Sequence, residues 1–334
     1  MARKTLALLV GGWALVAQAQ AQAGDGAVTV TVENDFFTAS DNNYTNGIGV
    51  AWVSDEITAE EDCFVGRWTQ FWSFLPYVAD DGYRTYAAWS VVQEMNTPDD
   101  ITEANPSEDD QPYSGVLYVD STLYAKQGNW THAWQLKLGV VGPASGAGDV
   151  QREFHKLIGD DKPQGWHTQL PNEPVVNIDY TVAHLAAAGR VGQSAQWRLV
   201  PMATAGIGNY FTGVGGGVYA ETGWNLLEAL GVTALRSGLN TASTVGVKAS
   251  DNWSVSFYGG VAAYGVVHYL PLDGTLFRHS RSVSSEPLIG MASFGACLRR
   301  RGFTLSYSKT FFTDTFETQR QNTNFGTVGV SWMF

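Results

Sequence analysis

The residues able to bind a cation or move a proton are concentrated in two short stretches. One is VENDFFTASDNNYTNGIGVAW, residues 32–52, where Glu33, Asn34, Asp35, Asp41, Asn42, Asn43, Thr45 and Asn46 crowd between apolar flanks. A connection that only needs to be wet does not require such a density of carboxylates and carboxamides; a site for a cation or a proton does. The other is GDVQREFHKLIGDD, residues 148–161. Gln151 and His155 are four apart, so a helix sets them one turn apart on one face. Asp149 is placed to cap that helix, Val150, Phe154, Leu157 and Ile158 form its apolar stripe, Gly159 suits its end, and Asp160 and Asp161 follow. Seated by that stripe, the helix would present Gln151 and His155 sideways. Histidine is the natural base near neutral pH, and Asp35 with Asp161 offers the hard oxygens that Ca²⁺ prefers. A cation polarising an ester carbonyl beside an imidazole that deprotonates water would hydrolyse the ester. A solvated histidine on a surface helix is the plainer alternative.

What scaffold would bring the two stretches together? Arg3 and Lys4 precede an apolar run over residues 5–17 and the small-residue pattern Ala19-Gln20-Ala21-Gln22-Ala23. That reads as a secretory leader over residues 1–23, with an uncleaved anchor as the alternative, and a single domain over residues 24–334. Loss of Arg3 and Lys4 with the leader takes the net charge from −12 to −14. Charged residues are scarce at 16%, aromatic residues reach 13%, 37 residues are Gly, and mean hydropathy is −0.11. No later apolar run is long enough for a spanning helix, so the composition points to a transmembrane β-barrel, whose alternating strands dilute the hydropathy signal. The final FGTVGVSWMF alternates and ends on an aromatic residue, as outer-membrane barrels do; a secreted β-sandwich alternates too.

Period-two segments recur at residues 28–33, 48–52, 130–138, 176–182, 253–257 and 303–308. They imply about twelve antiparallel up-and-down strands, with one parity facing lipid and the other a polar lumen. The stretch at 211–222 is a weaker strand, and residues 223–252 could hold a helix or an extra hairpin. With both termini periplasmic, residues 36–43, 94–114, 141–174 and 271–285 become long extracellular connections, and Asn34, Asp35, Thr45, Gln93, Glu94 and the Gln151/His155 helix reach one rim. The insert 55–82 is periplasmic, and its RWTQFWSFLPYV would lie at the membrane interface. Cys63 and Cys297 are permitted a disulfide by the compartment, although their strands are not neighbours. The Gly-rich GVGGGV lacks the following helix and Lys-Ser/Thr of a phosphate loop, and no nucleic-acid motif appears.

ENDFF…DNNYTNG together with GDVQREFHKLIG…GW…QL resembles the lipid A 3′-O-deacylase family of outer-membrane barrels. The resemblance implies a twelve-stranded barrel in the outer membrane; the oligomeric state is left open, with a monomer favoured. Its Ca²⁺-dependent esterase site, between barrel wall and loop helix, would remove the 3′-linked acyloxyacyl chain from lipid A of lipopolysaccharide. By position, His155 would activate water, and Asn34, Asp35, Thr45, Gln151 and Asp161 would order metal, water or substrate, with Asp35 and Asp161 at the metal. The chain departs from the family at Phe36 and Asn43, where members carry Asp, and at Asp161, where they carry Glu. The family's basic pair in the second extracellular loop is replaced by the acidic NTPDDITEANPSEDDQP. The resemblance therefore leaves two further readings open, a glycerophospholipid esterase and a barrel without catalysis, either a pore or a surface-binding protein.

Overall fold

The computed structural model describes residues 26–34, 44–57, 63–159, 161–192, 195–227 and 245–334. Asp35, most of the first connection, Asp160 and the expected leader therefore lie outside the described residues. One antiparallel sheet runs β1 (Gly26–Asn34), β2 (Tyr44–Ser54), β3 (Arg84–Asn96), β4 (Ser114–Gln127), β5 (Trp130–Val141), β6 (Glu173–His184), β7 (Ala187–Val191), β8 (Ala195–Gly208), β9 (Phe211–Trp224), β10 (Ser254–Tyr269), β11 (Leu288–Arg300), β12 (Phe303–Phe312) and β13 (Asn324–Met333). β6 and β7 both pair with β8 and are two halves of one stave, broken by a bulge at Leu185 and Ala186. β1 pairs with β13, with Val30 opposite Val330, so twelve staves close into a barrel. Closure removes every sheet edge, which a strand surrounded by lipid requires.

Alternation decides which side of each stave meets lipid. Trp130, Leu138, Val176, Ile178, Phe257, Phe303, Leu305, Val330 and Trp332 are exposed on the outer face, while Thr29, Thr31, Ser254, Ser256 and Thr304 of the opposite parity are buried inside. The stretch 211–222 belongs to β9. The two-residue turn between β11 and β12 holds Arg301 at φ +48° and Gly302 at φ +79°, the left-handed pair that matches the twist of a tight hairpin.

The lumen is filled with side chains. Glu94, only 1% exposed, points inward and accepts hydrogen bonds of 2.5 Å from both Tyr118 and Tyr210, whose rings flank the Lys137 ammonium at 3.9 and 3.7 Å. Toward the periplasmic end, Arg198 pairs with the buried Glu221. The extracellular mouth is covered by loops that grip one another: Arg281 binds the Ser107 carbonyl, Thr318 binds that of Asp109, and the buried Glu173 carboxylate takes the backbone N–H groups of Leu276 and Phe277.

At the periplasmic end, helix α1 (Phe64–Phe71) lies on the outside of the wall, as the aromatic insert suggested. Trp52, stacked on Trp89 at 5.4 Å, is wholly buried with Val65, Val78, Ala87 and Leu123 beneath it. Cys63 and Cys297 are not joined by a disulfide: the Cys63 sulfur accepts the Gly66 N–H at the start of α1, and Cys297 is buried on β11. Residues 225–253 form a second long connection at this end. Its described parts contain no helix or strand, and Val245 is buried against the lumen cluster. Residues 228–244, part of the segment that could hide a helix or hairpin, lie outside the described residues.

Candidate active site on the outer wall

Cross-strand register sets the site's floor. Asn34 on β1 stands opposite Asn46 on β2, Asn46 opposite Met95 on β3, and Met95 opposite Gly115 on β4. This row continues the outward parity of Val28, Val30 and Val32, yet Asn34 is buried where those valines are half-buried. The two neighbours Gln93 and Glu94, both expected at the rim, take opposite sides. Gln93 faces the outer wall and Glu94 the lumen, because successive strand residues alternate.

Helix α2 (Ala147–Ile158) covers this floor, packing on β3 and β4. Its seat is made by absence. A Cβ on Gly115 would stand 2.3 Å from the Ala147 Cβ and 2.5 Å from the Ser145 hydroxyl, so only glycine admits the helix. Gln93 Nε2 donates to the Ser145 carbonyl at 2.6 Å and ties the preceding turn to β3. Met95, Tyr113, Ala147 and Trp166 pack together as a small apolar cluster, and burial pushes the Tyr113 hydroxyl up to about 12, keeping it a neutral donor to the Ile101 carbonyl.

The helix differs from the sequence expectation in two ways. It starts at Ala147, and its cap is Gly146 with no side-chain bond; Asp149 sits in the first turn and pairs with Arg152. Gly159 does end it, at φ +77°. More consequentially, the seated face is Ala147, Gln151 and His155, three residues at four-residue spacing, while Phe154 is 40% exposed. Small residues at the close approach bring Gln151 and His155 inward, while Val150 packs at the edge of the apolar cluster.

Gln151 is 2% and His155 6% exposed. The Trp166 indole nitrogen donates to Gln151 Oε1 at 2.5 Å. Since an indole can only donate, this contact fixes the amide orientation and turns Gln151 Nε2 into a buried donor. Among the described residues neither Gln151 Nε2 nor Gln93 Oε1 meets a hydrogen-bond partner, and a buried polar group without one costs about 1–3 kcal/mol. His155 Nδ1 lies 2.6 Å from the Asp161 carbonyl oxygen. A carbonyl only accepts, so Nδ1 carries the proton and Nε2 is the basic nitrogen.

The structure thus puts Asn34, Gln151 and His155 at the outer wall of one rim. Thr45 is in β2 next to Asn46, Asp161 is exposed and touches the histidine through its backbone, and Asp35 lies outside the described residues. Among the described residues no group of three or more His, Cys, Asp or Glu is gathered. Sequence reasoning gave no role to Gly115, Ser145, Trp166 or Tyr113. An outward-parity glycine where lipid-facing residues are otherwise large was the available signal for Gly115.

The sequence profile described as "Outer membrane protein LpxR" matches residues 5–334. Among solved structures, LpxR from Salmonella typhimurium is similar at TM-score 0.73 and 17% identity, over 92% of this chain and 100% of that one. The β domain of the Bordetella autotransporter BrkA follows at TM-score 0.45 and 8% identity, over 93% and 99%. No curated protein sequence matches the chain significantly. With a profile match over nearly its whole length and a closed barrel of twelve staves, the chain belongs to the LpxR family of outer membrane proteins.

Proposed function

We propose that the protein is an outer-membrane hydrolase that removes a 3′-linked acyloxyacyl chain from lipid A, using His155 to activate water. The observation that carries this reading is the bond between His155 Nδ1 and the Asp161 carbonyl, which leaves Nε2 as the base on a buried, rigid imidazole at the extracellular end of a lipid-facing wall. Family membership supports lipid A as the substrate, and the site's place on the outer wall supports a lipid entering sideways from the outer leaflet.

In this mechanism His155 Nε2 takes a proton from water while the water oxygen bonds to the ester carbonyl carbon. The carbonyl π electrons move to oxygen, and the unfilled Gln151 Nε2–H donates to that oxyanion. Collapse breaks the bond to the sugar oxygen, which takes the proton back from His155, and a fatty acid and a free hydroxyl result. Asn34 and Thr45 orient the water. The carboxylates of Asp35 and Asp161 are hard oxygen donors, the class that Ca²⁺ takes, and an ion held there would polarise the ester carbonyl.

A second reading has its own support. Asp99, Asp100, Glu103, Glu108, Asp109 and Asp110 crowd the loop after β3, and Gln164, three residues past Asp161, binds that loop through Ile101. An acidic neighbour disfavours a bis-phosphorylated glycolipid and favours a glycerophospholipid ester. Mass spectrometry of lipid A and phospholipids incubated with the protein, with and without chelator, separates the two. Lipid A shortened by the 3′ chain supports the first reading, lysophospholipid the second, and release of neither overturns both.

A further inference from the structure

We infer that the groove between α1 and the lipid-facing wall binds an acyl chain of a periplasmic-leaflet phospholipid. Trp68, Trp72 and Leu75 form one side, and Leu123, Leu136 and Ile178, outward residues of β4, β5 and β6, form the other. Two of the indole nitrogens are engaged: Trp68 donates to Ser121 at the groove's edge at 2.9 Å and Trp134 to the Pro76 carbonyl at 3.1 Å. What the groove offers is almost entirely carbon.

Depth and continuity choose the occupant. Trp134 and Leu136 stand four and six residues above Trp130, where β5 leaves the periplasmic end. At about 3.3 Å per residue and the usual strand tilt near 45°, this is roughly 9–14 Å into the bilayer. One leaflet contributes about 15 Å of hydrocarbon, so the groove lies at the level of acyl chains and below the headgroups. Ile178 also belongs to the exposed belt that includes Leu138 and Val176, so the groove opens onto the surface already facing lipid. Along the same segment, Phe71 and Phe74 remain exposed, which suits contact with the membrane. The lipid A of the opposite leaflet ends its chains near the bilayer midplane, whereas a periplasmic phospholipid spans this depth.

The test is photolabelling of the full-length protein in phosphatidylethanolamine vesicles that contain a trace of the same lipid with a mid-chain diazirine. Peptides covering residues 64–75 and 121–136 should be labelled above those around Phe257 and Val261 on the distant wall. A Leu136→Trp variant, which fills the groove, should lose this excess about tenfold, the ratio equivalent to 1.4 kcal/mol of lost contact, while belt labelling and heat-modifiable gel mobility stay unchanged. Excess lipid A should not displace the label. Equal labelling of groove and distant wall in the native protein overturns the inference even if the variant misfolds. Displacement by lipid A, or the excess persisting in a folded variant, overturns it as well.

Discussion

Two short helices lie on the outside of one barrel wall, and they are held there by opposite means. α1 at the periplasmic end is seated by large carbon surfaces, with Trp52, Trp89, Trp68 and Leu123 interleaved and the Trp68 indole N–H bound to Ser121. α2 at the extracellular end is seated by small residues, Ala147 against Gly115, and encloses Gln151 and His155, with Gln151 Nε2 and Gln93 Oε1 meeting no partner among the described residues. Hydrophobic burial at about 25 cal/mol per Å² is reason enough for the first arrangement. It does not account for the second, where burying polar groups opposes folding. The contrast separates a membrane fitting seated on carbon from a candidate active site that buries an amide and an imidazole.

The comparison can be broken by mutation. His155→Ala should cut ester hydrolysis by about 10³-fold, within the range for a positioned general base, with the barrel's heat-modifiable mobility retained; wild-type acyl release from this variant rules out the base. Gly115→Leu should unseat α2 and abolish most turnover, with about 1–3 kcal/mol lost to overpacking, seen as a lower unfolding midpoint in detergent; a native midpoint would show that the close approach is not required. Chelation should stop the reaction and Ca²⁺ restore it, read by the same lipid mass spectra, and full activity in chelator would remove the metal from the proposal. Gln151→Leu should lower kcat by roughly 10²-fold through loss of an oxyanion donor, with KM changed little. Trp68→Phe should be the mildest, about 1 kcal/mol for the lost bond to Ser121, and activity should be unaffected if α1 is separate from the chemistry.

Much of the barrel was legible because a strand's period is two. Val176, Ile178, Tyr180 and Val182 could be assigned to one face from the letters alone, and so could Thr304 against Leu305. Helix α2 was legible as a helix but not in its orientation. Its apolar stripe pointed to one docking face, whereas Gly115, over thirty residues earlier in the chain, made the face of Ala147, Gln151 and His155 the closest-fitting one. The Trp166 bond to Gln151 was hidden for the same reason, since local pattern carries no information about which distant donor will meet an amide. The opposed fates of Gln93 and Glu94 were implicit in alternation but required the register of β3 to read.

What the sequence determined by itself was the alternation that makes a barrel and the residue types from which a hydrolytic site can be drawn. These follow from local composition and spacing, which every residue expresses through its own backbone. Only the tertiary structure decided that the lumen is packed, that the loops close the mouth, and that His155 turns toward the wall with its proton on Nδ1. Those outcomes depend on steric fit and hydrogen-bond partners far apart along the chain, and a space left by one missing Cβ directs a helix in a way no local pattern can express.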